Sequence, residues 1–213
     1  MGLKEIVKKT FLRNIWDYYL DLKNKYEAKY VIPPYSEKRK ILLGYKNKFD
    51  LEVFVETGTF LGDTVNTFKF DFKRLISFEL SPELAEKAVN RFRNEKLITI
   101  VCGDSGKLLP QYLTDISGPC LFWLDGHYSS EFFIGDEFIK TAKGDKNTPI
   151  LEELKAILTH QIKGHVILID DARCFNGKSD YPKFSDLKQF VNNLDPNLTV
   201  TRKRDIIRIL PSK

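Results

Sequence analysis

Little in this chain would place it in a membrane, outside the cell or around a zinc ion. No window offers eighteen apolar residues without a charge, so no transmembrane helix is expected. The opening stretch MGLKEIVKKTFLRN has charges inside its apolar runs and no small-residue cleavage site, and a secretory signal is not expected there. Gly2 begins a myristoylation-like start, but Ile6 stands where Ser or Thr is wanted. The cysteines are only three, Cys102, Cys120 and Cys174, odd in number and far apart. They offer neither a disulfide framework nor a zinc spacing, and they fit a reducing cytoplasm. There are no repeats and no low-complexity tracts to suggest a solenoid or a disordered arm.

What is present is an ordinary globular balance, 42% hydrophobic and 30% charged over 213 residues, enough for one α/β domain with a buried core. Charge is uneven. Residues 1–48 hold 12 Lys/Arg against 5 Asp/Glu, or +7, and the remainder 22 against 24, or −2. The basic character therefore lives in the N-terminal quarter. It reads either as a solvated helical face or as a surface for an acidic partner, whether membrane lipid, nucleic acid or anionic glycan. No RNA- or DNA-binding motif accompanies it, which disfavours nucleic acid and prefers the solvated face.

Residues 1–49 read as a helical extension. Apolar residues at three- and four-residue spacings predict a helix over 3–29, Pro33-Pro34 interrupts it, and 35–49 reads as a second short helix or a linker. From residue 50 to 213 strands and helices alternate. Strands are expected at VFVE (53–56), LISFEL (75–80), ITIVCG (98–103), PCLFWLD (119–125) and HVILID (165–170), with Trp123 in the core. Helices are expected from about Asp63, from Ser81-Pro82-Glu83 to about Asn94, after a Thr148-Pro149 cap, and near 185–194. A polar, glycine-containing stretch occupies 126–147, and LTVTRK with DIIRIL reads as a closing hairpin. Apolar strands alternating with helices predict a Rossmann-like, mostly parallel sheet covered on both faces. Ligands on such sheets bind beyond the carboxyl ends of the strands.

Each of those strands ends in an acid. After the first stands Glu56-Thr57-Gly58-Thr59-Phe60-Leu61-Gly62-Asp63-Thr64. Its glycines permit a tight turn and a close backbone approach, although G-x-G-x-x-G and the P-loop Gly-Lys-Ser/Thr are both missing from this turn. Glu79 follows the second strand, 23 residues beyond Glu56, the spacing at which nucleotide-binding domains place a carboxylate on ribose hydroxyls. Then come Asp104-Ser105, Asp125-Gly126-His127-Tyr128 and Asp170-Asp171.

In this order the motifs VETGTFLGDT, SFELS, CGDS and FWLDGHY resemble those of the class I S-adenosylmethionine-dependent methyltransferases. LTVTRK/DIIRIL is similar to that family's reversed terminal hairpin, and the resemblance spans about residues 50–211. LDGHYS, TAKGDKNTPILEEL and ILIDDAR further resemble bacterial O-methyltransferases found with surface-glycan and natural-product genes. Metal-dependent macrolide and aminocoumarin sugar O-methyltransferases are more distant relatives. The segment Glu131–Lys140 departs from that pattern by being longer and more aromatic, and it bears on acceptor recognition.

The resemblance implies a seven-stranded sheet with an antiparallel C-terminal hairpin and S-adenosylmethionine as cofactor. It implies that Glu79 binds the ribose, that Asp104 and Ser105 lie at the adenine, and that the segment from Glu56, with Thr57, Gly58, Thr59 and Gly62, surrounds the methionine end. Asp63 and Thr64 continue this candidate cofactor segment. In such a fold the last two strands bearing acids are neighbours, which gathers Asp125, Asp170 and Asp171. Three carboxylates together want a proton or a cation, and all-oxygen ligands suit Mg²⁺ or another divalent ion. His127 suits a general base beside Asp125. Tyr128 and Arg173 are the candidate acceptor contacts, with Arg173 suited to an anionic group. The expected activity is O-methylation of a sugar or related metabolite in the cytoplasm, with a small-molecule or glycan acceptor, peripheral membrane contact through the basic segment as an open option, and a dimer as the candidate assembly. N-methylation of a small molecule or RNA is one alternative, and a non-catalytic cofactor-binding module is another. A dehydrogenase is disfavoured by the missing glycine fingerprint and the closing hairpin.

Overall fold

The computed structural model describes residues 32–128, 131–134 and 137–212. The helix expected over 3–29, and with it most of the basic segment, lies outside the described residues. No helix among the described residues is long and apolar enough to cross a membrane.

Pro34 ends an extended stretch and is the N-cap of α1 (Tyr35–Phe49), so the helix-or-linker alternative resolves as helix. Asp50, in the left-handed region at φ 51°, closes it and turns the chain into β1 (Val53–Thr57). Then follow α2 (Asp63–Phe68), β2 (Arg74–Glu79), α3 (Pro82–Phe92), β3 (Ile98–Cys102), α4 (Ser105–Leu113) and β4 (Cys120–Leu124). After these come the hairpin strands β5 (Glu131–Ile134) and β6 (Glu137–Lys140), then α5 (Ile150–Thr159) and β7 (Val166–Ile169). The chain ends with α6 (Phe184–Leu194), β8 (Leu198–Lys203) and β9 (Ile206–Pro211).

The main sheet has seven strands in the order β3-β2-β1-β4-β7-β9-β8. The first five are parallel, while β9 runs antiparallel to both β7 and β8. The order reverses between β1 and β4, so the ends of these strands open a crevice.

Side-chain alternation divides the core between the two faces of the sheet. Val55, Ile76, Phe78, Phe122, Leu124, Ile167 and Ile169 point to one face, under α4, α5 and α6 through Leu109, Leu154 and Leu187. Phe54, Leu75, Leu121, Trp123, Val166 and Leu168 point to the other, under α1 and α2 through Leu42, Val65 and Phe68. Phe54 meets the rings of Phe68 and Phe72, both at 5.2 Å between centroids. Truncating such a fully buried phenylalanine costs about 3–5 kcal/mol.

The structure departs from three local expectations. The Ser81 cap is as expected, with its hydroxyl accepting from Leu84 N–H, but α3 stops at Phe92. The N-cap of α5 is Pro149, with no side-chain cap, and Thr148 lies one residue outside. The stretch 126–147 is not simply a loop, because β5 and β6 pair within it, Phe133 opposite Phe138.

Candidate functional site

The crevice beyond β3, β2, β1 and β4 holds a cavity of about 400 Å³. Its lining includes Gly58, Glu79, Asp104, Ser105, Asp125, His127 and Tyr128, one group from each expected strand end but β7. The volume is that of a small-ligand or cofactor pocket.

The turn after β1 approaches the turn after β4 closely. Gly58 sits at φ 87°, and a Cβ there would meet the Asp125 carbonyl oxygen at 2.7 Å. Only glycine fits that crossing. Glu79 is buried, 7% exposed, and each of its oxygens accepts a backbone N–H, from Phe60 at 2.8 Å and from Ser81 at 2.9 Å. Burial pushes its carboxyl above the ordinary range, and the N–H groups of Ser81, Phe60 and Leu80 oppose that rise. The carboxylate is thus fixed in place with lone pairs left for a ligand. Asp104 caps α4, accepting from Gly106 N–H at 3.0 Å, and also lines the cavity.

The rest of the candidate cofactor segment lies under or beside the cavity. Glu56 is 1% exposed and accepts from Ser77 Oγ at 2.6 Å, while Thr59 Oγ1 lies 2.7 Å from the same Ser77 hydroxyl. Burial raises the Glu56 carboxyl to about 8, so it is protonated at neutral pH and serves as a hydrogen-bonded floor. Thr57 is fully buried, and Gly126 N–H donates to its hydroxyl at 3.3 Å. Gly62 is the N-cap of α2, Asp63 pairs with Arg91 at 2.8 Å on the surface, and Thr64 lines a second, smaller cavity. Glu153 on α5 escaped the sequence reading. It is 1% exposed, accepts from Ser105 Oγ, and is raised by burial to about 7. Nothing in the local pattern ILEELKAIL separates this acid from a solvated one. Phe60, within the expected methionine segment, lines the cavity together with Leu80, Leu84 and Pro149, which supply its apolar walls.

Beyond β4 the geometry is acid–histidine–acid. His127 Nδ1 lies 3.4 Å from Asp125 Oδ1, and Nε2 lies 3.5 Å from Asp171 Oδ2. The hydrogen bond to Asp125 holds the imidazole above its ordinary value against the effect of burial, with Asp171 and Asp170 adding to the rise. Ligand atoms of Asp125, His127 and Asp171 all fall within 4.8 Å of one another, the one such metal-competent group among the described residues. This is not the expected all-oxygen trio. β4 and β7 are neighbours as anticipated, but Asp170 Oδ2 accepts from Lys38 of α1, and its Oδ1 accepts from Asp171 N–H at 3.0 Å. Burial, then Asp125, push the Asp170 carboxyl up, and the Lys38 ammonium opposes that rise. Asp171 Oδ1 is taken by Arg173 Nη1 at 2.7 Å. Of the expected trio, Asp125 and Asp171 converge with His127, whereas the Asp170 carboxylate is turned to the Lys38 ammonium and is the member that does not fit a shared Mg²⁺ site.

Arg173, expected on the acceptor, is committed to Asp171 and to the fully buried Asp205 in the β8–β9 turn. Tyr128 lines the cavity, with its N–H on Asn147 O at 2.9 Å and Lys143 Nζ 5.6 Å over its ring. The β5–β6 hairpin leaves and re-enters the cavity wall between Tyr128 and Thr141.

No protein-family model and no curated protein matches this sequence. Solved structures do match by fold. The O-methyltransferase TomG from Streptomyces achromogenes, involved in tomaymycin synthesis and in complex with SAM, has a TM-score of 0.60 at 16% identity over 85% of this chain and 82% of its own. An O-methyltransferase from Bacillus cereus in complex with SAH gives 0.58 at 13% identity over 91% and 89%. The N-methyltransferase NodS from Bradyrhizobium japonicum gives 0.53 at 14% identity over 84% and 96%. With its strand order and reversed terminal strand, the chain has the Rossmann-like fold of the class I S-adenosylmethionine-dependent methyltransferases.

Proposed function

We propose that this protein transfers a methyl group from S-adenosylmethionine to a hydroxyl of a small cytoplasmic acceptor, a sugar or related metabolite. The observation that carries the reading is one cavity holding a fixed carboxylate, Glu79, after β2 and an acid-flanked imidazole, His127, after β4. The two strands are separated only by β1, so β2 and β4 lie about 10 Å apart across the sheet, and the cavity spans their ends.

S-adenosylmethionine supplies an electrophilic methyl group on a sulfonium: the acceptor oxygen bonds to the methyl carbon as the carbon–sulfur bond breaks onto sulfur, leaving the demethylated product. The protein's share is binding and proton management. Glu79 accepts the ribose hydroxyls, the Asp104–Gly106 turn and the walls formed by Leu80 and Pro149 take the adenine, and the Gly58 turn admits the methionine end. Asp125 fixes the tautomer by holding Nδ1–H, which leaves Nε2 to receive the acceptor's proton. The resulting imidazolium stands between Asp125 and Asp171. O-methylation is preferred over N-methylation because a hydroxyl must lose a proton as it attacks, and a base is placed to take it.

A second reading is favoured by the 4.8 Å grouping of Asp125, His127 and Asp171, which suits a divalent ion. An ion held through Nε2 would occupy the nitrogen that proton removal needs, and in that arrangement the two readings exclude each other. Chelation separates them, and His127→Ala tests the base. As a base, its loss slows methyl transfer about a hundredfold or more while cofactor affinity stays within about twofold, and chelator leaves the wild-type rate unchanged. Inhibition of the wild type by chelator with recovery on Mn²⁺ establishes the metal reading, and full turnover by His127→Ala removes the base.

A further inference from the structure

Asp170 is bound from a direction the motifs do not reveal. Lys38, on the helix that precedes the sheet, lies with its Nζ 5.8 Å from the Trp123 ring centroid and pairs with Asp170. Side-chain exposure is 20% for the lysine and 3% for the aspartate. The smaller cavity, about 50 Å³, is lined by Lys38, Thr64, Trp123, Asp125 and Asp170. Asp125 borders both cavities, so Lys38 faces the back of the acid whose front meets the ligand. The helix is tied down around the lysine. Glu37 pairs with Arg204 of the β8–β9 turn, and Tyr35 Oη donates to Thr67 at 3.0 Å. Burial works against the Lys38 ammonium, but Asp170, Asp125 and Asp171 together outweigh it and keep the group charged.

We propose that Lys38 is a positioning residue that acts as the resident cation of this site, holding Asp170 out of the reach of a divalent ion and supplying positive charge behind Asp125 in its place. Each Asp170 oxygen already accepts one hydrogen bond, Oδ2 from the Lys38 ammonium and Oδ1 from the Asp171 N–H, so the charge of the carboxylate is balanced from the helix side. An ion entering between Asp125 and Asp170 would have to displace an ammonium bonded to a buried carboxylate, at the cost of like-charge repulsion. Acceptor activation then falls to His127. The proposal rests on the methyl-transfer reading for the meaning of the site, while its test needs no methyl donor.

The test is Mn²⁺ binding, followed by calorimetry and by the loss of free-ion electron-spin signal, on the full chain with folding checked by thermal melting. Lys38→Met should bind Mn²⁺ on the order of tenfold or more tightly than the wild type, because it frees a carboxylate and removes a like charge. Lys38→Met/Asp170→Asn should lose that gain, and Lys38→Arg should retain the wild-type affinity. Lys38→Gln carries the same expectation if the methionine variant does not fold. A lysine that merely anchors the helix would alter melting in Lys38→Met and leave Mn²⁺ affinity where it was. The proposal is overturned by that result, by a gain that survives Asp170→Asn, or by Asp170→Asn weakening Mn²⁺ binding in the wild-type background. Failure of the methyl-transfer reading would show instead as absent cofactor binding with this Mn²⁺ pattern intact.

Discussion

His127 stands between two acids, and that placement sets a pH response as well as a role. Its hydrogen bond to Asp125 outweighs burial and raises the imidazole. A base works only when neutral, so turnover should rise with pH through a midpoint above the ordinary imidazole value of about 6.5. Asp125→Asn removes the leading cause of the rise and should move that midpoint down. Measuring kcat against pH for both proteins checks it, and a midpoint that does not move assigns the profile to another group. Much of this residue-level picture is readable in the sequence. The acid at the end of each strand was visible, and the fold brings four of the expected positions, Gly58, Glu79, Asp104 and Ser105, together with Asp125 and His127, onto one cavity. Lys38, Glu153 and Asp205 were not visible, for a common reason. Each is a charged residue whose burial depends on a distant element, at separations of 132, 48 and 32 residues from its partner.

Elements were legible where one local signal dominated. Ser81-Pro82-Glu83 marks α3 because cap, fixed φ and acidic first turn agree. The strands were legible because buried parallel strands are nearly continuous apolar runs. Helix α4 was not singled out, since Gly106 and Pro110 both lower its propensity, and packing of Leu109 and Leu113 holds it instead. The β5–β6 hairpin hid inside a glycine-containing stretch because its strands are four residues each and join no other sheet. The terminal hairpin does more than close the sheet. Asp205 in its turn accepts from the Arg173 backbone N–H at 2.7 Å and pairs with its guanidinium, so it sets the position from which Arg173 meets Asp171.

At the scale of the whole molecule, the strand ends carry the ligand chemistry and the opposite side of the sheet carries a stability switch. His165, just before β7, accepts from Cys120 N–H at 3.1 Å through Nδ1, and its Nε2 lies 3.0 Å from His160 Nδ1. Burial, then the charges of His160 and Lys163, lower it to about 4. An unfolded histidine takes up a proton near pH 6.5. Between about 6.5 and 4 the unfolded chain therefore binds a proton that the folded one does not, and stability falls as pH falls through that window. The loss should be on the order of 3 kcal/mol from this group. Denaturant unfolding of the wild type and of His165→Gln, which keeps an acceptor for Cys120, should show that part of the slope only in the wild type. An identical slope in both would place the acid sensitivity elsewhere.

If the cavity beyond β1, β2 and β4 is built for S-adenosylmethionine, calorimetric titration of the purified chain will show it. S-adenosylmethionine and its demethylated product should each bind with about micromolar affinity, and Glu79→Ala, which removes the ribose acceptor, should weaken both by about tenfold or more. Absence of either from the wild type, alongside clear binding of NADH, would contradict the account.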